Sequence, residues 1–456
     1  MTVRASLLRD LVNPNLSVGG RAKLCCELAS DFENRGEYEE ACEVLSAFWP
    51  NLGERPVLAG LERNIAAELL LRAGVLTGLV GNNGPISDAQ ENAKNLISES
   101  LTVFQSQGYK NKTAEAQIEL ALCYWRTGEY ENATDLLKLA LEELSSDGEL
   151  KAKAIIRKAV VDIDAGRLAE ALDYLADHAA LFQRVNNYTV KGCYYQALGD
   201  ALKDLWESEK RTDYLDRALV EYAAASYYFD LAEHRRYRAN VENNLGLIYF
   251  QIDRCKEAHD HLDRARRIFT GLKDKIAVAQ VDETRARVFL KDKKEVKAEE
   301  TARSSVRTLE KSDIHLPLAE SLTTHGTALA RLGNCATALA TFRRAIDLYQ
   351  QIGSIDRAGQ AALTVFREMR EQLTIADGSR PISSQPLDEE IHSIEHDRIK
   401  RALEENQRKI TYAARSLGMT YQALNYMLKT RHNDLLHERT EARGRLRMSD
   451  RRSTDA

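Results

Sequence analysis

The sequence has little proline and lacks long apolar runs. Its 456 residues include only seven prolines, and none lies between Pro85 and Pro317. Because proline breaks helices and this stretch is rich in Ala, Leu, Glu, Lys and Arg, its composition favours helix over sheet. No stretch approaches the roughly 18 apolar residues of a membrane span. Residues 1–15 lack the apolar core of a signal peptide, so we expect a cytoplasmic protein.

Motifs for catalysis and metal binding are also scarce. The seven cysteines form no C-x-x-C pair, and no G-x-x-x-x-G-K-[ST], G-x-S-x-G or H-E-x-x-H string occurs. Residues 162–166 (D-I-D-A-G) begin like a calcium loop, but the sixth position is Arg167 rather than glycine. His259 and His261 stand two apart on an expected helix, so they point in different directions. We therefore expect no enzyme activity, no cofactor and no metal site.

Charge is distributed unevenly along the chain. The formal net charge is −5, yet residues 406–456 hold 11 Lys and Arg against 5 Asp and Glu. That end therefore carries +6, which leaves −11 for the remainder. This asymmetry indicates a small polyanion-binding end attached to an acidic body.

Small residues recur at a nearly constant interval inside helical patterns. The successive spacings are 40, 38, 47, 40, 40 and 40 residues, and Gly246, Ala286 and Gly326 lie twelve residues before the last three. This periodicity predicts two helices per unit, with small residues where the helices pack closely. A glycine at 36, 128 and 333 is predicted to end each first helix in a left-handed cap. The recurring small residues are Ala93, Ala133, Ala171, Ala218, Ala258, Ala298 and Ala338.

This pattern resembles the tetratricopeptide family, in which a small residue, an aromatic, a glycine and an alanine recur at fixed positions. Residues 121–133 read A-x-x-Y-x-x-x-G-x-x-x-x-A, and the first unit, from Ala29 to Leu45, fits as well. The period near 40 departs from the usual one of about 34, which implies longer helices. The resemblance covers residues 20–375. It implies an all-α fold, an α-solenoid of helical hairpins over residues 1–373, with insertions around 78–90 and 203–214.

In that family the stacked first helices line a groove that accepts peptides or helices. The resemblance therefore implies a protein or peptide partner, with Asn and Gln side chains gripping a peptide backbone. The alternative is that these positions are solvated faces of amphipathic helices. The candidate groove residues are Gln196, Asn240, Asn243, Gln280, Glu283 and Arg287.

A linker and a second domain are predicted after the array. Residues 374–390 contain two prolines, Gly378 and several serines and aspartates, a composition typical of linkers. Residues 391–436 then carry short helical patterns separated at Gly418, with Ala414 where two helices must cross closely. The basic tail 437–456 is predicted to be disordered. The apolar stripes of this domain comprise Ile391, Ile394, Ile399, Ala402, Leu403, Ile410, Ala413, Ala414, Leu417, Leu424, Met427 and Leu428.

Residues 413–420 (A-A-R-S-L-G-M-T), followed by Leu424, resemble the Fis-type helix-turn-helix domain of bacterial enhancer-binding activators. The resemblance implies that a second helix, about 420–429, enters the major groove of double-stranded DNA. Tyr421, Asn425 and Tyr426 stand where the family often carries Arg or Lys. The resemblance assigns base reading to Thr420, Tyr421, Gln422 and Asn425. It assigns phosphate contacts to Lys409, Thr411, Arg415, Lys429 and Arg431.

These resemblances predict a bacterial transcription regulator in which a signal-binding helical array carries a DNA-binding domain. Members of the Fis-type family usually bind DNA as dimers, so a homodimer is also implied. The alternative from another class is a protein-protein interaction scaffold with a degenerate helix-turn-helix domain. The recognition helix, which is poor in arginine, favours that alternative.

Overall fold

The computed structural model describes residues 15–81, 88–312, 314–376, 387–419, 421–432 and 434–435, and these residues contain no β-strand. The predicted all-α fold is confirmed. Two compact units divide between Ile352 and Gly353. Thr420, residues 377–386 of the predicted linker and the predicted tail 437–456 lie outside the described residues. No helix within the described part is long and apolar enough to cross a membrane.

The first unit is an array of helices joined by short turns. Its first eight described helices are α1 (Val18–Arg35), α2 (Tyr38–Leu45), α3 (Arg63–Val80), α4 (Ala89–Ser106), α5 (Lys110–Arg126), α6 (Tyr130–Glu143), α7 (Glu149–Asp164) and α8 (Leu168–Asp177). The next nine are α9 (Ala179–Arg184), α10 (Tyr188–Glu209), α11 (Thr212–Leu231), α12 (Arg235–Gln251), α13 (Cys255–Gly271), α14 (Lys275–Lys291), α15 (Glu295–Leu309), α16 (His315–Arg331) and α17 (Cys335–Gln351).

Consecutive helices of this unit pack as hairpins. The pairs are α1/α2, α3/α4, α5/α6, α7/α8, α10/α11, α12/α13, α14/α15 and α16/α17. The first helix of one hairpin also contacts the first helix of the next, as between α3 and α5 or between α14 and α16. Stacking of this kind is the α-solenoid that the repeat predicted.

The recurring small residues hold the helices of each hairpin close together. All seven of the recurring alanines are completely buried. A Cβ atom built on Gly246 would lie 2.6 Å from Leu262 Cγ, and one built on Gly326 would lie 3.0 Å from the ring of Phe342. Close packing leaves no room for a larger residue at these positions, so the predicted role of the small residues is confirmed.

The turns within hairpins use left-handed backbone, as predicted. Gly36, Gly128 and Gly333 have φ angles of 71°, 78° and 81°. Lys293 and Asp253 occupy the equivalent position one and two repeats before Gly333, with φ angles of 57° and 63°. The 40-residue register of the turn is therefore kept even where the residue is not glycine. Packing of the two helices compensates the cost of about 1 kcal/mol that a side chain meets in this conformation.

Three segments differ from a regular array. Residues 46–62 contain no helix and are held partly by the Trp49 indole, which donates to the Glu54 carbonyl oxygen at 2.8 Å. The short helix α9 interrupts the hairpin order and was not predicted. The expected insertion at 203–214 lengthens α10 and α11 and places a left-handed residue, Lys210, between them.

The second unit contains α18 (Ile355–Ala376), α19 (Leu387–Glu405), α20 (Ile410–Ser416) and α21 (Tyr421–Thr430). A small core joins the last three helices, and Ile391 and Ile394 lie outside the described side chains. The buried core residues are Ile399, Ala402, Leu403, Ala413, Ala414, Leu424, Leu428 and Leu435, with Ile410, Leu417, Met419 and Met427 packed against them.

The turn between α20 and α21 has the geometry that the sequence predicted. Gly418 has a φ angle of 69°, and its amide donates to the Arg415 carbonyl oxygen at 3.2 Å. The Met419 amide donates to the Ala414 carbonyl oxygen at 3.0 Å, which satisfies two carbonyls at the end of α20. Ala414 is 2% exposed, as expected where helices cross closely.

Candidate functional site

The first helices of the later hairpins, α10, α12, α14 and α16, form one continuous surface, which we call the open face. The Asn244 Nδ2 atom on α12 donates to Asp200 Oδ1 on α10 at 3.4 Å. The Arg287 guanidinium on α14 lies 5.1 Å from the ring centroid of Phe250 on α12. The Thr324 hydroxyl on α16 donates to Glu283 Oε1 on α14 at 2.6 Å. Neighbouring repeats thus share this surface.

All six predicted groove residues lie on these helices, and one of them, Asn243, has an unsatisfied buried atom. Asn240 and Asn243 are half-buried on α12, and Gln280 is exposed on α14. The Asn243 Oδ1 atom is buried and has no hydrogen-bond partner among the described residues. Buried polar atoms are normally paired, so this oxygen lacks the donor that such an atom usually has. Gln196 donates to Asp200 on α10.

Charged groups flank these amides. Burial raises the pKa of Glu283, and the nearby Arg287 guanidinium and the Thr324 hydroxyl oppose that rise. The Gln251 Nε2 atom donates to Glu207 Oε1 at 2.8 Å, but its Oε1 atom is buried without a partner among the described residues. Sequence reasoning missed Gln251. The available signal was its place eight residues, about two helical turns, after Asn243 on the same helix.

The first helices of the earlier hairpins, α1, α3, α5 and α7, form a second surface, which we call the closed face. The Arg72 side chain is only 4% exposed, and its guanidinium pairs with Glu33 at 2.5 Å, with Glu68 at 3.3 Å and with Glu115. Lys112 Nζ lies 2.7 Å from Glu68 and 2.8 Å from Glu115. Here charged groups of the chain pair with one another, although Glu33 Oε1 and Arg72 Nε are buried without a hydrogen-bond partner among the described residues.

The two cations do not neutralise every carboxylate of this cluster equally. Burial tends to raise the pKa of Glu115, but Arg72 and Lys112 outweigh it and lower that pKa to about 2. Burial raises the pKa of Glu33 to about 8 against the opposing effect of Arg72. The negative charge is therefore distributed unevenly within the cluster: Glu115 is ionised, whereas Glu33 is readily protonated.

The end of α1 also reaches helices far along the chain. Lys153 Nζ on α7 donates to Asn34 Oδ1 at 3.0 Å, and the Thr189 hydroxyl on α10 donates to the Asn34 carbonyl oxygen at 3.4 Å. Arg236 Nε on α12 donates to the Gly36 carbonyl oxygen at 3.3 Å. We call these interactions the closure contacts, because they bring the first hairpin onto α7, α10 and α12.

His234, which precedes α12, fills the remaining space beside Gly36. Its Nδ1 atom accepts from the Tyr237 amide at 3.2 Å, and its ring stacks on the Tyr237 ring at 3.9 Å. A Cβ atom on Gly36 would lie 2.6 Å from His234 Cε1. Burial lowers the pKa of His234 to about 4, so the imidazole is neutral near pH 7.

A second candidate surface is the outer side of α21. Tyr421 and Tyr426 are 49% and 66% exposed, Gln422 is exposed and Asn425 is half-buried, whereas Leu424 turns into the core. The predicted base-reading residues other than Thr420, which is not described, thus share the side of the helix away from the core. Tyr426 lies on the same side and was not among them.

The predicted phosphate contacts surround this helix. All of them are exposed, and they comprise Lys409, Thr411, Arg415, Lys429 and Arg431. Lys409 Nζ lies 5.7 Å from the ring centroid of Tyr412, which is itself 54% exposed. Arg431 lies 3.9 Å from Glu395, and its side chain is 63% exposed. The cations are therefore accessible to an anionic partner.

Side chains considered as metal ligands have partners within the protein. Asp162 lies 2.8 Å from Lys158 and 2.6 Å from Arg167. The His259 ring nitrogen lies 3.1 Å from Asp292, and that of His261 lies 2.8 Å from Glu242. Over the described ranges, no group of three or more His, Cys, Asp or Glu side chains is arranged to hold a metal ion.

Comparison with known proteins shows similarity of fold. No protein-family model matches the chain, and no curated protein sequence matches it. The apo form of the quorum sensor NprR from B. thuringiensis is 14% identical, with 75% of this chain and 92% of that chain covered and a TM-score of 0.50. The human IFIT1 dimer with PPP-AAAA is 14% identical, with 81% and 76% covered and a TM-score of 0.52.

A third similar structure is the STAND protein PH0952 from Pyrococcus horikoshii, which has a tetratricopeptide repeat sensor. It is 14% identical, with 75% of this chain and 54% of that chain covered and a TM-score of 0.50. At such identities the likeness concerns the fold alone. The array is thus a tetratricopeptide-like helical repeat.

Proposed function

We propose that this chain is a cytoplasmic transcription regulator whose helical array binds a protein or peptide signal and whose second unit binds double-stranded DNA. The observation that carries the proposal is the outer side of α21, where Gln422 and Asn425 stand between exposed cations. Amide side chains pair with adenine edges in the major groove, and cations hold the phosphates on either side. The proposal includes no catalytic step, cofactor or metal.

DNA binding is tested with the full chain by fluorescence anisotropy on duplex DNA at low and at physiological salt. We expect salt-sensitive binding that weakens for all sequences in Lys409→Ala and Lys429→Ala, with a shallower salt dependence, because each removes a phosphate contact. Gln422→Ala should instead relax sequence preference in a binding-site selection, by about 1–3 kcal/mol at the affected base.

An exposed cation in the array serves as the control. Lys138→Ala on α6 removes a cation that is 58% exposed and lies in the other unit, so DNA binding should not change. Loss of binding in this control equal to that in Lys429→Ala would refute a specific role for α21. Absence of any DNA binding by the full chain would refute the DNA part of the proposal.

The second candidate function is a docking surface for protein, and the exposed tyrosines favour it. Tyr412, Tyr421 and Tyr426 all project from α20 and α21, and tyrosine is enriched in the centres of protein interfaces. Under this alternative, Tyr426→Ala would abolish partner binding, whereas Lys429→Ala would have little effect. Under the DNA proposal, Lys429→Ala would weaken binding as stated above.

The signal-binding part of the proposal rests on the open face. Asn243 and Gln251 each hold a buried oxygen without a hydrogen-bond partner among the described residues, and an extended peptide backbone supplies N–H donors at regular spacing. One protein of similar fold is a quorum sensor, but shared fold does not transfer function, so the surface itself carries the argument.

A random peptide library displayed on phage and selected on the full chain tests this part. Peptides enriched on the wild type should lose affinity by about tenfold or more for Asn243→Ala, since a buried hydrogen bond to the peptide is removed. Gln350→Ala, an exposed amide on α17, is the matched control and should bind normally. Equal binding by Asn243→Ala would exclude the open face as the site.

A further inference from the structure

The helix α18 presents apolar residues to solvent along one side. Ile355 and Phe366 are 53% and 55% exposed, and Leu363 is 37% exposed. Since successive helical residues turn by about 100°, positions 355, 359, 362 and 366 share one side. The buried residues of the same helix, Ala358 and Ala361, lie on a different side. We call the exposed side of residues 355, 359, 362, 363 and 366 the α18 stripe.

The α18 stripe is complementary to itself in shape when two copies run antiparallel. In such a pair, a residue that lies some positions before the centre of the contact faces the residue that lies about as many positions after the centre in the other copy. A pairing centred between Ala362 and Leu363 sets Phe366 of each copy against Gly359 of the other. A Cβ atom on Gly359 would have no atom within 4 Å, so the space over this residue is open to receive a ring. Two equivalent ring-into-gap contacts then form.

The same register also brings opposite charges together. Asp356 and Arg370 are exposed and border the α18 stripe on the same edge. Each of them is without an ion-pair partner among the described residues. A twofold axis across the helix pair places Asp356 of one copy beside Arg370 of the other, and the reverse, so two ion pairs flank the apolar contact. A parallel pairing would instead align like charges.

We propose that the α18 stripe is a homodimer interface in which two copies of this chain pair their α18 helices antiparallel. Isologous pairing of this kind is the commonest symmetry of protein dimers. One helix face buries less than the roughly 1,200 Å² of a standard interface, so the dimer dissociates at low concentration. The inference does not depend on the proposed DNA or peptide binding, since it concerns the free protein.

The association is measured by analytical ultracentrifugation of the full chain without DNA, over about 1 μM to 1 mM, the range in which weak complexes dissociate. Wild type should pass from monomer to dimer as its concentration rises. Phe366→Glu should weaken the dimer by about 100-fold or more, because a carboxylate would be buried without a partner. Val220→Glu, at an equally exposed apolar residue on α11, is the matched control and should dimerise normally.

Charge exchange tests the antiparallel register. Asp356→Arg and Arg370→Asp should each weaken the dimer about tenfold, because each sets like charges opposite each other. The double variant should recover most of the wild-type association, since both ion pairs re-form with reversed sign. Failure of the double variant to recover would overturn the register. A chain that stays monomeric at every concentration, or a dimer insensitive to Phe366→Glu, would overturn the interface.

Discussion

The closed face and the open face are built from equivalent helices, yet their buried polar groups differ in kind: buried ion pairs dominate the first and amides the second. On the closed face, Arg72 pairs with Glu33 and Glu115 of the two neighbouring hairpins and with Glu68 of its own helix. On the open face, Asn243 and Gln251 hold buried oxygens that no described residue contacts as a donor. Taking a charge out of water without a partner is costly, so the closed face is occupied by its own network. The open face retains capacity for a ligand.

The comparison also shows where the array is stiffened. The closure contacts fix the end of α1 against helices that follow it by about 120 to 200 residues. Solenoids ordinarily have contacts only between neighbouring repeats. The first hairpin is therefore supported by α7, α10 and α12, whereas α14 and α16 pack mainly on neighbouring hairpins. A ligand of the open face would add interactions where the array has fewest of its own.

Removal of Arg72 should show the largest difference between the faces. Arg72→Ala leaves buried carboxylates unpaired and should lower the free energy of unfolding by about 3–5 kcal/mol. Arg287→Ala, on the open face, should cost less, about 1–2 kcal/mol, because it removes a half-buried cation–π contact and the cation beside Glu283, whose carboxylate also accepts from the Thr324 hydroxyl. Urea unfolding followed by circular dichroism gives both values. Equal losses would mean that the closed face is no more dependent on its charges than the open face.

Two glycines test the closure contacts with the same substitution. Gly36→Ala and Gly333→Ala both place a side chain in left-handed backbone, which costs about 1 kcal/mol. Only Gly36 faces His234, so its alanine should cost about 3 kcal/mol in total, whereas no atom lies within 4 Å of a Cβ on Gly333. Thermal unfolding of the two variants side by side measures the difference. The same loss in both would show that the first hairpin is free to move away from α12.

Much of the array could be predicted from sequence because its determinants are local. Ala258 and Gly246 indicate the close approach of two helices that are joined by a three-residue turn, and Gly418 indicates the turn of the second unit. The closure contacts could not be predicted in this way, because no short-range pattern links Gly36 to His234. Arg72 signals only the buried ion pairs between neighbouring hairpins, since it interrupts an apolar helix and a charge at such a place needs partners.

The candidate sites were predictable only in part for a related reason. Periodicity places Asn243 and Gln280 on the first helices, but it does not reveal which amides are already satisfied. Gln196 is engaged with Asp200, whereas the Asn243 oxygen is not. That difference depends on side-chain geometry between repeats. Likewise, the sequence predicted which side of α21 faces away from the core. Whether DNA or a protein binds to that side depends on the chemistry of the partner as well as on this helix.

Acid should destabilise the fold around the closure contacts by protonating His234. Its folded pKa of about 4 lies below the usual value of 6.5, so the unfolded chain binds more protons between these limits. The stabilisation is complete above pH 6.5 and is lost as pH falls toward 4, by about 2 kcal/mol at pH 4.5. His234→Asn keeps a capping side chain and should lack this dependence. Unfolding free energies of both proteins at pH 7 and pH 4.5 provide the measurement, and parallel values would contradict the prediction.

Substitution of two asparagines, one on each face, should give the smallest difference in unfolding free energy. Asn34 Oδ1 on the closed face accepts from Lys153, so Asn34→Ala should cost about 1 kcal/mol in unfolding free energy. The Asn243 Oδ1 atom is buried without a partner, so Asn243→Ala should change stability by less than about 0.5 kcal/mol or raise it slightly. An equal loss in both variants would mean that Asn243 has a structural partner. If Asn243→Ala loses peptide affinity while it keeps its stability, that side chain is retained for binding rather than for the fold.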